Sequence, residues 1–256
     1  MPDKTLLALV LSLLAFAGAG AGTPAGKETP PLARSRQLVV VTTGDWDAVG
    51  GVLRRFERKG TRGAWAQVGA EVPVVVGRNG LGRDPGFKDA PAGVPLKKEG
   101  DGRAPAGVFQ LGPAFGFAPT SEVSWLRMSY TPLTPSTECV DDPASARYNL
   151  IVDRDTAGAA DWRSSERMRE VEGYRWGLVV AYNAAPPTPG RGSCIFLHVW
   201  AGPGKGTAGC TAMDEEQLGR LLRWLDPAKR PLLVQLPDGE YARLRGPWLL
   251  PPANVK

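Results

Sequence analysis

The stretch Ser193–Met213, SCIFLHVWAGPGKGTAGCTAM, decides how this chain is read. Its first part alternates. In a strand over Ser193–Trp200, Ile195, Leu197 and Val199 point to one face, and Cys194, Phe196, His198 and Trp200 to the other. The aliphatic face is expected to be core. His198, the only histidine in the chain, then stands on the opposite face at the strand's end. It directly precedes Ala201–Gly209, a loop with four glycines that can fold back and bring Cys210 beside it. Beyond the cysteine, Asp214 with Gln217 makes a capping-box pattern. Leu218, Leu221, Leu222 and Leu225 form the apolar stripe of a helix over Asp214–Leu225, which Pro227 stops. The N-terminal end of that helix would favour a thiolate at an exposed Cys210. Gly209 lets the backbone turn so that the amides of Gly209 and Cys210 face a developing oxyanion. One segment thus supplies a nucleophile, a base and oxyanion donors, the parts of a cysteine acyl-transfer site.

The same residues have plainer uses. A histidine at a strand end is often an ordinary packed polar residue, and a cysteine after glycine is often filler. Zinc held by Cys194, His198 and Cys210 is disfavoured. Four residues of strand separate Cys194 from His198 by about 13 Å, too far for one ion with ligands at roughly 2.0–2.3 Å. No metal and no other cofactor is expected. In an oxidising compartment Cys139 and Cys194 can pair and leave Cys210 as the odd thiol, although three cysteines allow three pairings.

The rest of the chain sets the frame. Its 256 residues, 43% apolar and 22% charged, hold enough core to exclude wholesale disorder. With 32 glycines and 24 prolines the chain is turn-rich, which fits a mostly β protein in one large domain. The net charge of +5 is spread without a basic run, so nucleic acid is not implied, while an anionic partner such as cell-wall polymer is permitted. Lys4, the apolar run Leu6–Ala17 and the small residues to Gly22 form a signal-peptide pattern cut after Ala21. No later stretch is long and apolar enough to span a membrane. The expected product is an exported protein with no stable membrane insertion after cleavage.

The expected layout is a signal peptide over 1–21, a flexible Pro-rich leader over 22–36, a domain over 37–237 and a C-terminal extension over 238–256. Strands are expected at Gln37–Thr43, Val72–Val76, Val108–Leu111, Val123–Tyr130, Tyr148–Val152, Leu178–Tyr182, Ser193–Trp200 and Leu232–Leu236. Trp46, Val49, Leu53 and Phe56 recur at helical spacing and predict an amphipathic helix, weakened by Gly50 and Gly51. A short helix is expected over Asp161–Val171.

His198, the glycine-rich loop and Thr207-Ala208-Gly209-Cys210 resemble the signature of the L,D-transpeptidases with a YkuD-type catalytic domain: a histidine, a spacer, then Ser/Thr-His-Gly-Cys. Lys98–Phe109 (KEGDGRAPAGVF) is similar to that family's Gly-Asp … Thr-Pro-x-Gly-x-Phe segment. CVDDP at Cys139–Pro143, DWRSSERM at Asp161–Met168 and YRWG at Tyr174–Gly177 resemble a bacterial subgroup. The resemblance covers roughly Gln37 to Leu236. It implies a mostly β (α+β) domain with β-sandwich-like sheets and a few packed helices, with Cys210 as nucleophile and His198 as base. It also implies peptidoglycan stem peptides as substrate and cell-wall remodelling as the role. Three positions depart from the family pattern: Ala208 replaces the second histidine, Val199 the glycine after the first, and Ala212 an arginine or asparagine. Arg78, Arg103 or Arg175 would then have to replace the lost cation. The group that orients His198 is either a side chain or a backbone carbonyl. A hydrolase on the same scaffold and an inactive wall-binding module are the competing functions. The oligomeric state is not legible.

Overall fold

The computed structural model describes residues 31–87 and 91–252. The expected signal peptide and residues 22–30 of the leader lie outside the described residues. In chain order the strands are β1 Gln37–Thr43, β2 Gly50–Glu57, β3 Ala66–Gln67, β4 Val72–Val75, β5 Leu81–Arg83, β6 Ala104–Gly116 and β7 Tyr130–Pro132. They continue as β8 Thr137–Val140, β9 Ile151–Asp153, β10 Ser165–Arg167, β11 Trp176–Val180, β12 Phe196–Val199, β13 Thr211–Met213 and β14 Leu232–Pro237. The helices are α1 Glu215–Trp224 and α2 Asp238–Leu244.

The fold is mostly β, as expected, and its main sheet closes on itself. The order runs β1-β14-β6-β11-β12-β13-β4-β2, and β2 pairs back onto β1, Gln37 opposite Glu57 and Thr43 opposite Gly51. The ring encloses a core drawn from every stave. All seven residues of β1 are buried, which is why QLVVVTT is one unbroken β-branched run flanked by Leu and Thr rather than an alternation. A second sheet, β10-β8-β9, lies beside the ring.

The helix α1 forms where the sequence placed it. The Asp214 side chain accepts from the N–H groups of Glu216 (2.9 Å) and Gln217 (3.4 Å). Leu218, Leu221, Leu222 and Leu225 are buried in the core, each contributing roughly 1.5–3 kcal/mol by leaving water.

Several expectations are corrected. Residues 46–56 do not form a helix: β2 occupies their second half, with Leu53 and Phe56 buried on opposite faces. A side chain at Gly51 would place its Cβ 2.7 Å from the Thr42 carbonyl oxygen, so the glycine that weakens a helix is what lets β1 approach. Residues 161–171 hold β10 and a 3-10 turn, because Asp161 and Trp162 are tied to neighbouring segments, at Ser145 and at Glu138 of β8. Residues 123–130 form turns that bury Val123 and Met128, with pairing only from Tyr130.

The proposed edges of the domain also move. Leu32 is buried, and Arg58 donates to the Leu32 and Ser35 carbonyls (2.5 and 2.8 Å), so residues 31–36 are clamped rather than flexible. Tyr241, Leu244, Trp248 and Leu250 belong to the main core, and Tyr241 donates to the Pro251 carbonyl (2.8 Å), so the expected C-terminal extension is part of the domain through Pro251.

Candidate active site

The site sits where β12 and β13 run parallel, with His198 level with Ala212 and Leu197 level with Thr211. The loop joining them passes the turn at Gly77–Gly80. The Arg78 N–H donates to the Thr207 carbonyl (2.8 Å), and the Thr207 N–H donates to that of Val76 (2.9 Å). At Gly206 a Cβ would fall 2.6 Å from Arg78 Cα, so only glycine lets the loop lie this close. The loop therefore returns Cys210 to the level of Phe196, whose N–H donates to the Cys210 sulfur at 3.3 Å. The alternation of the strand holds. Ile195, Leu197 and Val199 enter the main core, while Phe196 packs in a second cluster with Phe115, Met168, Tyr174 and Cys210.

Cys210 is buried rather than exposed. Its thiol donates to the Cys194 carbonyl at 3.4 Å. Cys194 is itself bonded to Cys139, Cα atoms 6.0 Å apart, which leaves Cys210 as the free thiol. Burial, reinforced by the nearby Glu166 carboxyl, pushes the Cys210 thiol up to about 12. The expected thiolate-favouring helix end does not act here. β13 separates Cys210 from α1, and the Asp214 carboxylate already occupies the first amides of that helix.

His198 is half-buried, and its Nδ1 lies 2.8 Å from the Val199 carbonyl oxygen. A carbonyl only accepts, so Nδ1 carries the proton and Nε2 keeps its lone pair. The orienting group is therefore a backbone carbonyl. Burial lowers the pKa of His198 below the ordinary imidazole value, partly offset by that hydrogen bond. The ring also meets the Tyr174 ring edge-to-face, centroids 5.2 Å apart. His198 and Cys210 make no direct hydrogen bond, but both line one cleft of about 560 Å³.

The two expected oxyanion donors differ. The Gly209 N–H is already given to Thr207 Oγ1 at 3.1 Å, so it is not a free donor. The Cys210 N–H has no partner among the described residues. Gly209 also lies outside the left-handed backbone region; its neighbours Gly202 and Gly204 carry the turn, with φ of 135° and 74°.

None of the three arginines lines the cleft. Arg103 is held by the Trp46 and Leu81 carbonyls and by Asp47, and Arg175 by Glu172 and Glu215. The cleft's cations are Lys97, paired with Asp101 at 2.8 Å, and Lys205, which has no ion pair among the described residues. The sequence reading also passed over Tyr174 and Glu166, which line the cleft. Tyr174 donates to Glu166 Oε2 at 2.8 Å, and it packs with Cys210 in the second cluster. Their motifs were visible, but no spacing rule connects them to a cysteine more than thirty residues away.

A closed β domain thus carries a histidine on β12 and a buried thiol just before the adjacent parallel strand β13. The L,D-transpeptidase catalytic domain family, YkuD, matches residues 56–234, and this chain belongs to it. Comparison with curated proteins and with solved structures gives no match.

Proposed function

We propose that this protein is exported and remodels peptidoglycan as a cysteine-dependent L,D-transpeptidase. The observation that carries the reading is that Cys210 and His198 open into one cleft in a chain of this family, with Nδ1 tied down and Nε2 left to take a proton. Because the thiol is held neutral by burial, it needs a base at the moment of attack. Cys210 Sγ attacks the carbonyl between an L-centre and the terminal D-residue of a stem peptide, and His198 Nε2 takes the thiol proton. The Cys210 N–H faces the oxyanion. His198 then gives the proton to the leaving amine of the D-residue, and a thioester remains. The amine of a second stem attacks that thioester, His198 takes its proton, and the sulfur leaves and is reprotonated. Lys205 is placed to meet the carboxylate of the donor stem where Ala212 offers no cation.

Incubating the mature protein with purified muropeptides and reading the products by mass tests the proposal. Cross-linked dimers are expected, with none from Cys210→Ala and a rate about 10²–10⁴-fold lower from His198→Ala. Trimmed monomers alone would move the activity to hydrolysis, and undiminished turnover by Cys210→Ala would end the cysteine mechanism.

A further inference from the structure

Ala208 leaves the site without a second imidazole, yet the sulfur is not without a polar neighbour on its cleft side. Tyr174 is 3% exposed, and its ring is fixed by edge contacts with Phe115, Phe196 and His198, centroids 5.5, 5.5 and 5.2 Å away. Rigidity of that kind leaves only the hydroxyl hydrogen free to move. Tyr174 donates to Glu166 Oε2 at 2.8 Å, and it packs with Cys210 in one cluster on the wall of the same cleft.

We infer that Tyr174, backed by Glu166, is a further catalytic residue of this site, a hydroxyl that turns from the Glu166 carboxyl to the Cys210 sulfur as the thiol loses its proton. In the resting arrangement the thiol donates to the Cys194 carbonyl and the Tyr174 O–H to Glu166. When His198 Nε2 has taken the thiol proton, the sulfur bears a full negative charge in a buried place. The Tyr174 O–H then donates to the sulfur instead of to Glu166. One proton moves, from sulfur to imidazole; the tyrosine only turns its O–H. Burial raises the pKa of Glu166 and the Asp141 charge adds to this, while the hydrogen bond from Tyr174 opposes it. Lys97 also lines the cleft and offers the sulfur a compensating charge, but it is paired with Asp101.

This inference rests on Cys210 as the nucleophile, so its test reads the thiol alone and needs no wall substrate. Cys210 is the only free thiol, and its alkylation by iodoacetamide, followed by intact mass at about pH 7–9, tracks the thiolate fraction. Tyr174→Phe keeps the ring contacts and removes the donor, so alkylation should slow about 10-fold at each pH, the scale of one charge-assisted hydrogen bond. Glu166→Gln removes the carboxylate charge that holds the Tyr174 O–H, so alkylation should quicken by a similar factor. A merely structural role predicts that both variants loosen the site and react faster. Equal or faster alkylation in a folded Tyr174→Phe, or equal or slower alkylation in Glu166→Gln, overturns the inference. A failed muropeptide assay with these opposed shifts intact would count against the transpeptidase reading instead.

Discussion

Removing the bond between Cys139 and Cys194 should destabilise the domain and loosen its nucleophile together. The two cysteines are 55 residues apart; Cys139 is in β8, and β9, β10 and β11 lie between them in the chain. Closing a loop of that length restricts the unfolded chain by about 4 kcal/mol on the chain-entropy estimate. The variant should be Cys139→Ala with Cys194→Ala, because a single substitution would leave a reactive thiol next to Cys210. Cys139 is 1% exposed among Phe115, Leu133, Met168 and Tyr174, so the lost sulfur contacts add to the entropic effect. For a domain of this size the expected loss lowers the melting midpoint by about 8–16 °C. Urea unfolding with unchanged slope would give the free energy directly. The Cys194 carbonyl also holds the Cys210 thiol, so the alkylation rate of Cys210 should change in the same variant. A loss below about 1 kcal/mol would refute the reasoning, since it would mean that the unfolded chain is not restrained by this link.

Adduct formation between Cys210 and a carbapenem-type β-lactam should rise with pH through a single ionisation below 6.5. Only neutral His198 accepts the thiol proton, and burial disfavours its charged form. The rate should then stay level towards the thiol's own value of about 12, and a midpoint above 6.5 by intact mass would contradict this. Asp214→Ala should cost about 1 kcal/mol in a thermal or urea melt, because two amides of α1 lose their acceptor. The same variant should leave the alkylation rate of Cys210 unchanged, since β13 stands between that helix end and the sulfur.

The helix α1 and the β12 alternation could be read directly, because both depend on a local period that burial reproduces residue by residue. β2 could not. It is paired with β1 on one edge and β4 on the other, and buried Leu53 and Phe56 on opposite faces mimic a three-residue helical step. Arg54 deepens the disguise. It is a charged residue buried at 4%, satisfied by Thr42 Oγ1 and Glu71, and so it looks like the polar side of a helix. The nucleophile and base were legible from type and order. Their electrostatics were not, because the burial of Cys210 depends on Phe115, Met168 and Tyr174, which come from other parts of the chain. Tyr174 and Glu166 were invisible for the same reason: only the folded ring brings them beside the sulfur.

The closure of the main sheet has a consequence for how the chain can be made. β1 pairs on one side with its near neighbour β2 and on the other with β14, Leu38 against Leu232. During synthesis the first stave emerges early and waits for the last with an unpaired, mostly apolar edge. Contacts between such distant positions bring the largest loop-closure entropy late, so the ring assembles slowly and as a unit. The parallel partner of β1 and the core residues Tyr241, Leu244 and Trp248 all follow the other staves in the chain. A ribosome-bound or truncated chain that stops before Leu232 therefore presents an open, sticky sheet.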